Sequence, residues 1–260
     1  MPTHIRFDPA TYLKSPLQKA TYRALAKPID SLLSISKLEN YFNLARTRSS
    51  ENHRPFNESL HKEMDIRTKI DLNHLGRIPR TGPVVIVSNH PFGLLDASIL
   101  CEHLSAYRPD CKFLANYMVA KLPEAAPYVI PVNPFDTEKS TAQNLRPMRE
   151  AMRWLRSGKV LITFPAGEVA HLKIKNRGII DGPWSPHMAS LIHRTGATVI
   201  PIYISGRNSV LFQTLGLVHP LLRTALLARE LTNKRSREIE IQIGSPIPAS
   251  KLDDFDRRET

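Results

Sequence analysis

The sequence predicts an α/β fold: a mixed, largely parallel sheet flanked by helices, with a helical extension at the N-terminus. Two observations carry this. Strand-like apolar runs recur between residues 64 and 243 with helical patterns between several of them, and such alternation argues for parallel pairing. The residues before them show no strand signal. The expected division is 1–62, a helical membrane-facing extension, and 63–260, an α/β domain.

Residues 10–48 read as two helices. In the first, Leu13, Leu17, Ala20 and Ala24 share a face, while Lys14, Lys19, Arg23 and Lys27 lie elsewhere on the wheel. Pro28 is expected to end it. Such a basic amphipathic helix is read either as membrane-seeking or as docked on its own domain. Residues 49–62 read as a connecting loop. Strands are expected at Met64–Leu72, Val84–Ser88, Lys112–Ala115, Tyr128–Val132, Val160–Phe164, Thr198–Ile204 and Glu238–Ile243. Helices are expected at Ala97–Leu104, Ser140–Arg156 and His187–Arg194.

The most informative stretch is Pro83 to Asp96. Val84 to Val87 are consecutive β-formers and read as a strand buried on both faces. The strand ends in Asn89-His90, turns through Pro91 and Gly93, and leads to Asp96 at the start of a helical pattern. A histidine at a strand exit and a carboxylate at the next helix start can meet across the turn. Imidazole then serves as base for a hydroxyl proton, and the carboxylate fixes its tautomer. The plainer alternative is a hydrogen-bonded turn histidine and a helix-capping aspartate. A second segment, Lys159 to Glu168, repeats the design: a short apolar strand, then Phe164-Pro165-Ala166-Gly167-Glu168. Both turns follow strand ends, which is where ligands bind in parallel sheets.

Together these segments resemble the glycerophospholipid and lysophospholipid acyltransferase superfamily, known for Asn-His-(four residues)-Asp and Phe-Pro-Glu-Gly-Thr-Arg-Ser. The wording is most similar to the bacterial branch of ornithine-lipid O-acyltransferases and hemolysin-like proteins. The likeness continues through Asp181-Gly182-Pro183-Trp184, Val199 to Ile204 and Gly206-Arg207-Asn208-Ser209, covering roughly residues 70–250. It implies a glycerolipid-acyltransferase-like fold with His90 and Asp96 catalytic. It also implies substrate contacts from Asn89, Phe164, Pro165, Ala166, Gly167 and Glu168.

Two departures bear on chemistry. Five residues, not four, separate His90 from Asp96, and Gly93 is expected to absorb the extra one through backbone angles closed to other residues. In the second motif, Ala166, Glu168, Val169 and Ala170 stand where phosphate-handling members carry Glu, Thr, Arg and Ser. Arginine is the natural partner of a phosphate, and valine cannot replace it. An amino-acid lysolipid is therefore expected as acceptor, with Glu168 available to an ammonium. Arg177 and Arg207 are candidates for contact with the head group or the acyl carrier, each also readable as a plain salt-bridge residue.

Other classes are disfavoured. Gly-x-Ser-x-Gly, Walker, Rossmann and His-Glu-x-x-His patterns are absent. Cys101 and Cys111 make no Cys-x-x-Cys pair, so neither zinc nor a disulfide framework is expected. The leading residues lack the apolar core of a secretory signal, and no apolar run approaches the ~18 residues of a spanning helix.

The net charge is +12. Residues 171–237 hold ten basic side chains against Asp181 and Glu230. The apolar residues interleaved with them from Leu211 to Leu227 are aliphatic apart from Phe212. That mixture reads as a membrane-interface segment or as a core helix with charged flanks. Nucleic-acid fingerprints are absent.

The reading is an enzyme, a lysolipid O-acyltransferase of bacterial membrane lipid synthesis. It moves a fatty acyl group from an acyl carrier protein or coenzyme A thioester to a lysolipid hydroxyl, without metal or redox cofactor. The expected acceptor is lyso-ornithine-lipid-like or a lysophospholipid. The expected place is cytoplasmic, peripheral on the inner face of the cytoplasmic membrane at its anionic surface. The alternative is a non-catalytic basic module binding lipid or nucleic acid. The abrupt polar ending admits a further domain in a longer protein.

Overall fold

The computed structural model describes Ser15 and residues 26–133 and 138–252, excepting the side chains of 138–142 and 252. The expected first helix lies outside the described residues up to position 25. Residues 26–33 are helical, so Pro28 sits within a helix and does not end one. The chain divides into two compact units: residues 1–67 with 208–238, and residues 68–207 with 239–260.

The first unit is helical. Helices α1 (Ile35–Asn52) and α2 (Phe56–Glu63) pack together, with the rings of Phe42 and Phe56 5.5 Å apart. This corrects the loop expected at 49–62, which shrinks to His53–Pro55. Ser49, Ser50 and Asn52 are turn-favouring residues, but burial of Phe42, Ala45 and Leu60 overrides that preference. Three short helices, α7 (Val210–Val218), α8 (Pro220–Ala225) and α9 (Leu227–Thr232), belong to the same unit. A buried cluster anchors them. Glu230 accepts from the Ser209 amide at 2.8 Å, the Ser209 hydroxyl at 2.5 Å and Lys234 Nζ at 3.0 Å.

The second unit is built on a seven-stranded sheet. Its strands are β1 (Arg67–Ile70), β2 (Val84–Ser88), β3 (Cys111–Asn116), β4 (Val129–Val132), β5 (Val160–Thr163), β8 (Thr198–Ile204) and β9 (Glu238–Ile243), in the order β1-β9-β8-β2-β5-β3-β4. β2 pairs in parallel with β5 and β8, and β3 with β4 and β5, whereas β9 runs antiparallel to β8. β2 and β5 are buried at every position, as central strands covered on both faces must be; β9 alternates exposed and buried. The mixed, largely parallel sheet is therefore present.

Helices α4 (Leu94–Ser105), α5 (Glu138–Arg156) and α6 (Pro186–Thr195) connect the strands, and the short α3 (Leu72–Leu75) follows β1. Ala151 and Leu155 of α5, with Met188, Leu191 and Ile192 of α6, form one core cluster with Val85, Leu161 and Val199 of the sheet. The hairpin β6 (His171–Lys173) and β7 (Gly178–Ile180) was not anticipated from the sequence.

Candidate active site

Parallel pairing decides which residues meet. Val87 lies opposite Thr163 of β5 and Pro201 of β8, so β2, β5 and β8 end at the same edge of the sheet. His90 follows β2, Phe164 follows β5, and Gly206 and Arg207 follow β8. The ring of Phe164 stacks on the His90 imidazole, with centroids 4.0 Å apart and planes 19° off parallel.

The turn after β2 places Asp96. Gly93 adopts φ 97° and ψ −126° at the N-cap of α4, in the region expected to absorb the extra residue. Asp96 is the third residue of α4, which starts three residues before the expected Ala97. Its Oδ2 accepts from the amides of Phe92 and Gly93, both at 2.9 Å. Those bonds satisfy amides that a helix start leaves without partners. The same oxygen lies 2.9 Å from His90 Nδ1. The capping and pairing readings therefore hold together in one carboxylate.

The pair is not saturated. Asp96 is fully buried and its Oδ1 has no hydrogen-bond partner among the described residues. The His90 N–H is not aligned on Oδ2 despite the short separation, so Nδ1 makes no well-directed hydrogen bond. Hydrogen bonds of this kind commonly tighten only with substrate bound. The His90 side chain remains 17% exposed, which leaves the imidazole accessible from solvent.

A residue that the sequence did not single out completes the surroundings. Asp181, just past β7, accepts the His90 amide at 3.2 Å and a side-chain hydrogen bond from Trp184. Burial raises its pKa above the ordinary carboxylate value, against the lowering effect of those two bonds. The available signal was the stretch Asp181 to Trp184, which formed part of the family likeness.

The second motif is tied to the first through the backbone. The Ala170 amide donates to His90 O at 2.8 Å, and the Ser185 amide to Pro165 O at 3.0 Å. Gly167, at φ 68°, closes a turn onto Phe164 O at 2.9 Å, so its own N–H is occupied. The amides of Ala166 and Val169 have no acceptor among the described residues. Glu168 leans toward His171, with Oε1 3.9 Å from Nδ1, and packs on Gly182 so closely that a Cβ there would come within 2.7 Å of Oε1.

The remaining expected residues are distributed as follows. The Asn89 side chain bridges to β8, donating to Ile204 O at 2.8 Å and accepting from Ile204 N at 2.7 Å. Arg207 is exposed on the shared edge. The preceding Gly206 (φ 120°) lies against Phe92, where a Cβ would approach the ring to 2.3 Å. Arg177 is exposed at the tip of the β6–β7 hairpin, with Asp181 beyond the hairpin's other end. Neither arginine has an ion-pair partner among the described residues. No three His, Cys, Asp or Glu side chains gather as a metal site there either.

A family model described as "Acyltransferase" matches residues 44–253. The chain belongs to the acyltransferase family. Two curated relatives, each named "Lyso-glycine lipid O-acyltransferase", come from Phocaeicola vulgatus and Bacteroides thetaiotaomicron. The first is 29% identical over 194 residues, 71% of this chain and 66% of that protein. The second is 29% identical over 193 residues, 71% and 68%. This chain thus spans about two thirds of the length of these family members. Among solved structures, the 1-acyl-sn-glycerophosphate (LPA) acyltransferase PlsC from Thermotoga maritima is similar with a TM-score of 0.48 and 14% identity, over 95% of this chain and 76% of that one.

Proposed function

We propose that this family member is a lysolipid O-acyltransferase whose acceptor is an amino-acid lysolipid and whose donor is an acyl thioester. The observation that carries the proposal is His90. It sits at the strand-end edge, accessible to solvent, with Asp96 Oδ2 2.9 Å from Nδ1. In that orientation Nε2 takes the acceptor hydroxyl's proton as the oxygen attacks the thioester carbonyl. The C–S bond then breaks, and the imidazolium returns the proton to the departing sulfur. Asp96 orients the ring and stabilises the imidazolium. The unoccupied amides of Ala166 and Val169 are the candidate donors to the oxyanion, a role typically worth ~3 kcal/mol per donor.

The acceptor class follows from what surrounds the base. Val169 offers no grip on a phosphate, and Glu168 adds negative charge beside the turn. Arg207, on the same edge without an ion-pair partner among the described residues, suits the single carboxylate of an amino-acid head group. The relatives' names, lyso-glycine lipid O-acyltransferases, support the same class. For the donor, Arg146, Arg149, Arg153 and Arg156 stand exposed along one face of α5. Like charges so spaced weaken a helix, and an acidic acyl carrier protein would compensate them. Among the described residues, no helix is long and apolar enough to cross a membrane. Peripheral attachment at the inner face of the cytoplasmic membrane fits a bilayer-resident acceptor.

The test supplies one acyl thioester with lyso-glycine lipid, lyso-ornithine lipid and lysophosphatidate in parallel. The expected result is faster esterification of the amino-acid lysolipids. A clear preference for lysophosphatidate overturns the acceptor assignment.

A further inference from the structure

We infer that the corner between α7 and α8 is a shallow membrane-insertion wedge that seats the helical unit on an anionic bilayer. This rests on the lipid-substrate reading above and adds the surface that would meet the lipid. The two helices join through His219 alone, and the flanking side chains are aliphatic and outward. Val218 is 73% exposed, Leu221 66%, Leu217 47% and Leu222 41%, with Val210 exposed at the far end of α7. An aliphatic cluster of this kind, contiguous in the chain and at a single corner, marks an interaction surface.

The polar groups of the corner say what kind of surface it meets. His219 N donates to Leu215 O at 3.1 Å, and His219 Nδ1 accepts the Leu221 amide at 3.1 Å. The Leu222 amide donates to His219 O at 3.1 Å, and Pro220 contributes no N–H. The two threonine hydroxyls turn back onto their own helices, Thr214 to Val210 O at 3.0 Å and Thr224 to Pro220 O at 3.3 Å. Internal satisfaction of this kind is what backbone entering an apolar phase requires. A protein partner would instead meet a rim of available donors and acceptors.

Charge selects the lipid. From Asn208 to Arg229 there is no acidic residue, and Glu230 is buried and held by Lys234 and Ser209. Arg223, Arg229, Arg235 and Arg237 leave the segment positive, and an anionic head-group layer attracts such residues. Six- to nine-residue helices cannot span, so insertion stops near the head-group and acyl boundary.

The experiment uses the full 260-residue chain and detergent-free flotation on phosphatidylglycerol–phosphatidylethanolamine vesicles. The double variant Val218→Ser/Leu221→Ser should partition about tenfold more weakly or worse, with unchanged thermal unfolding and unchanged turnover of lysolipid presented in detergent micelles. In a separate Leu221→Trp variant, vesicles should blue-shift the new indole emission, and lipids brominated at shallow chain positions should quench it. Flotation of the double variant equal to wild type, or no quenching of bound Leu221→Trp protein, overturns the wedge. So does a wild-type dimer that the double variant abolishes while flotation stays intact. Flotation needs no turnover: a protein that floats but transfers no acyl group refutes the enzymatic reading and leaves the wedge standing.

Discussion

The two ends of the parallel strands each hold a close pair of ionisable side chains, and the pairs differ in how fully they are satisfied. Before β2, β3 and β5, Arg108 grips Asp110 with two bonds of 2.8 Å and also donates to Pro79 O, Gly82 O and Gly158 O. Arg108 draws its pKa up from that carboxylate, and Asp110 is held below its ordinary value chiefly by the guanidinium bond. After β2 and β5, His90 and Asp96 are as close, yet Asp96 Oδ1 is unpartnered and the imidazole N–H is not aligned on Oδ2. An unsatisfied buried oxygen costs roughly 1–3 kcal/mol. The first pair clamps the sheet, whereas the second keeps hydrogen-bonding capacity that the described residues do not use.

The contrast breaks first at the His90 end. His90→Ala should lower acyl transfer about 100- to 10,000-fold, as loss of a general base does. Thermal unfolding should barely move, because the side chain is partly exposed. Asp96→Asn should cost nearly as much rate by releasing the tautomer. Steady-state rates beside melting curves decide this, and a His90→Ala enzyme keeping more than a tenth of wild-type rate removes His90 as base.

The clamp should fail in the opposite way. Arg108→Met takes the guanidinium from Asp110 and three carbonyls, and losing hydrogen bonds to a charged group typically costs about 1.5–3 kcal/mol. Denaturant unfolding should register that loss, while the folded fraction keeps wild-type kcat. A large fall in kcat without loss of stability would mean that the clamp takes part in the chemistry.

The smallest effect sharpens the comparison by pH. Asp110 has a lowered folded pKa, so its contribution is present above the unfolded value near 3.8 and is lost as pH falls through the folded value. Asp181 has a raised folded pKa, so its stabilising contribution is present below about 3.8 and is lost as pH rises through the folded value. Asp110→Asn should therefore lower Tm at pH 7. Asp181→Asn, which keeps an acceptor for the His90 amide, should raise it slightly, and that gain should vanish toward pH 3.5. Equal signs at pH 7 would contradict the assignment.

The strands Val84–Ser88, Thr198–Ile204 and Glu238–Ile243 were legible to the residue because β-formers run unbroken between turn signals. The meeting of His90 with Asp96 was legible because both lie on one strand–turn–helix segment. What depends on distant contacts was not. Asp181 reaches His90 across 91 positions. No local motif marks Arg108, whose partners Pro79, Gly82 and Gly158 come from distant parts of the chain. Residues 208–238 join the N-terminal helices in one unit although residues 68–207 separate them in the chain. Short polar windows misled as well: Ser49 to Asn52 favour turns locally, and the packing of Phe42 and Phe56 makes them helical.

The central claim is acyl transfer to a lysolipid hydroxyl by the His90 edge of the sheet. Purified protein incubated with an acyl thioester and lyso-glycine or lyso-ornithine lipid, and analysed by mass spectrometry, tests it most directly. A lipid heavier by one ester-linked acyl chain should form with release of free thiol, and its formation should be lost with His90→Ala. No ester with either carrier-protein or coenzyme A thioesters, or equal ester from the His90→Ala protein, would contradict that claim.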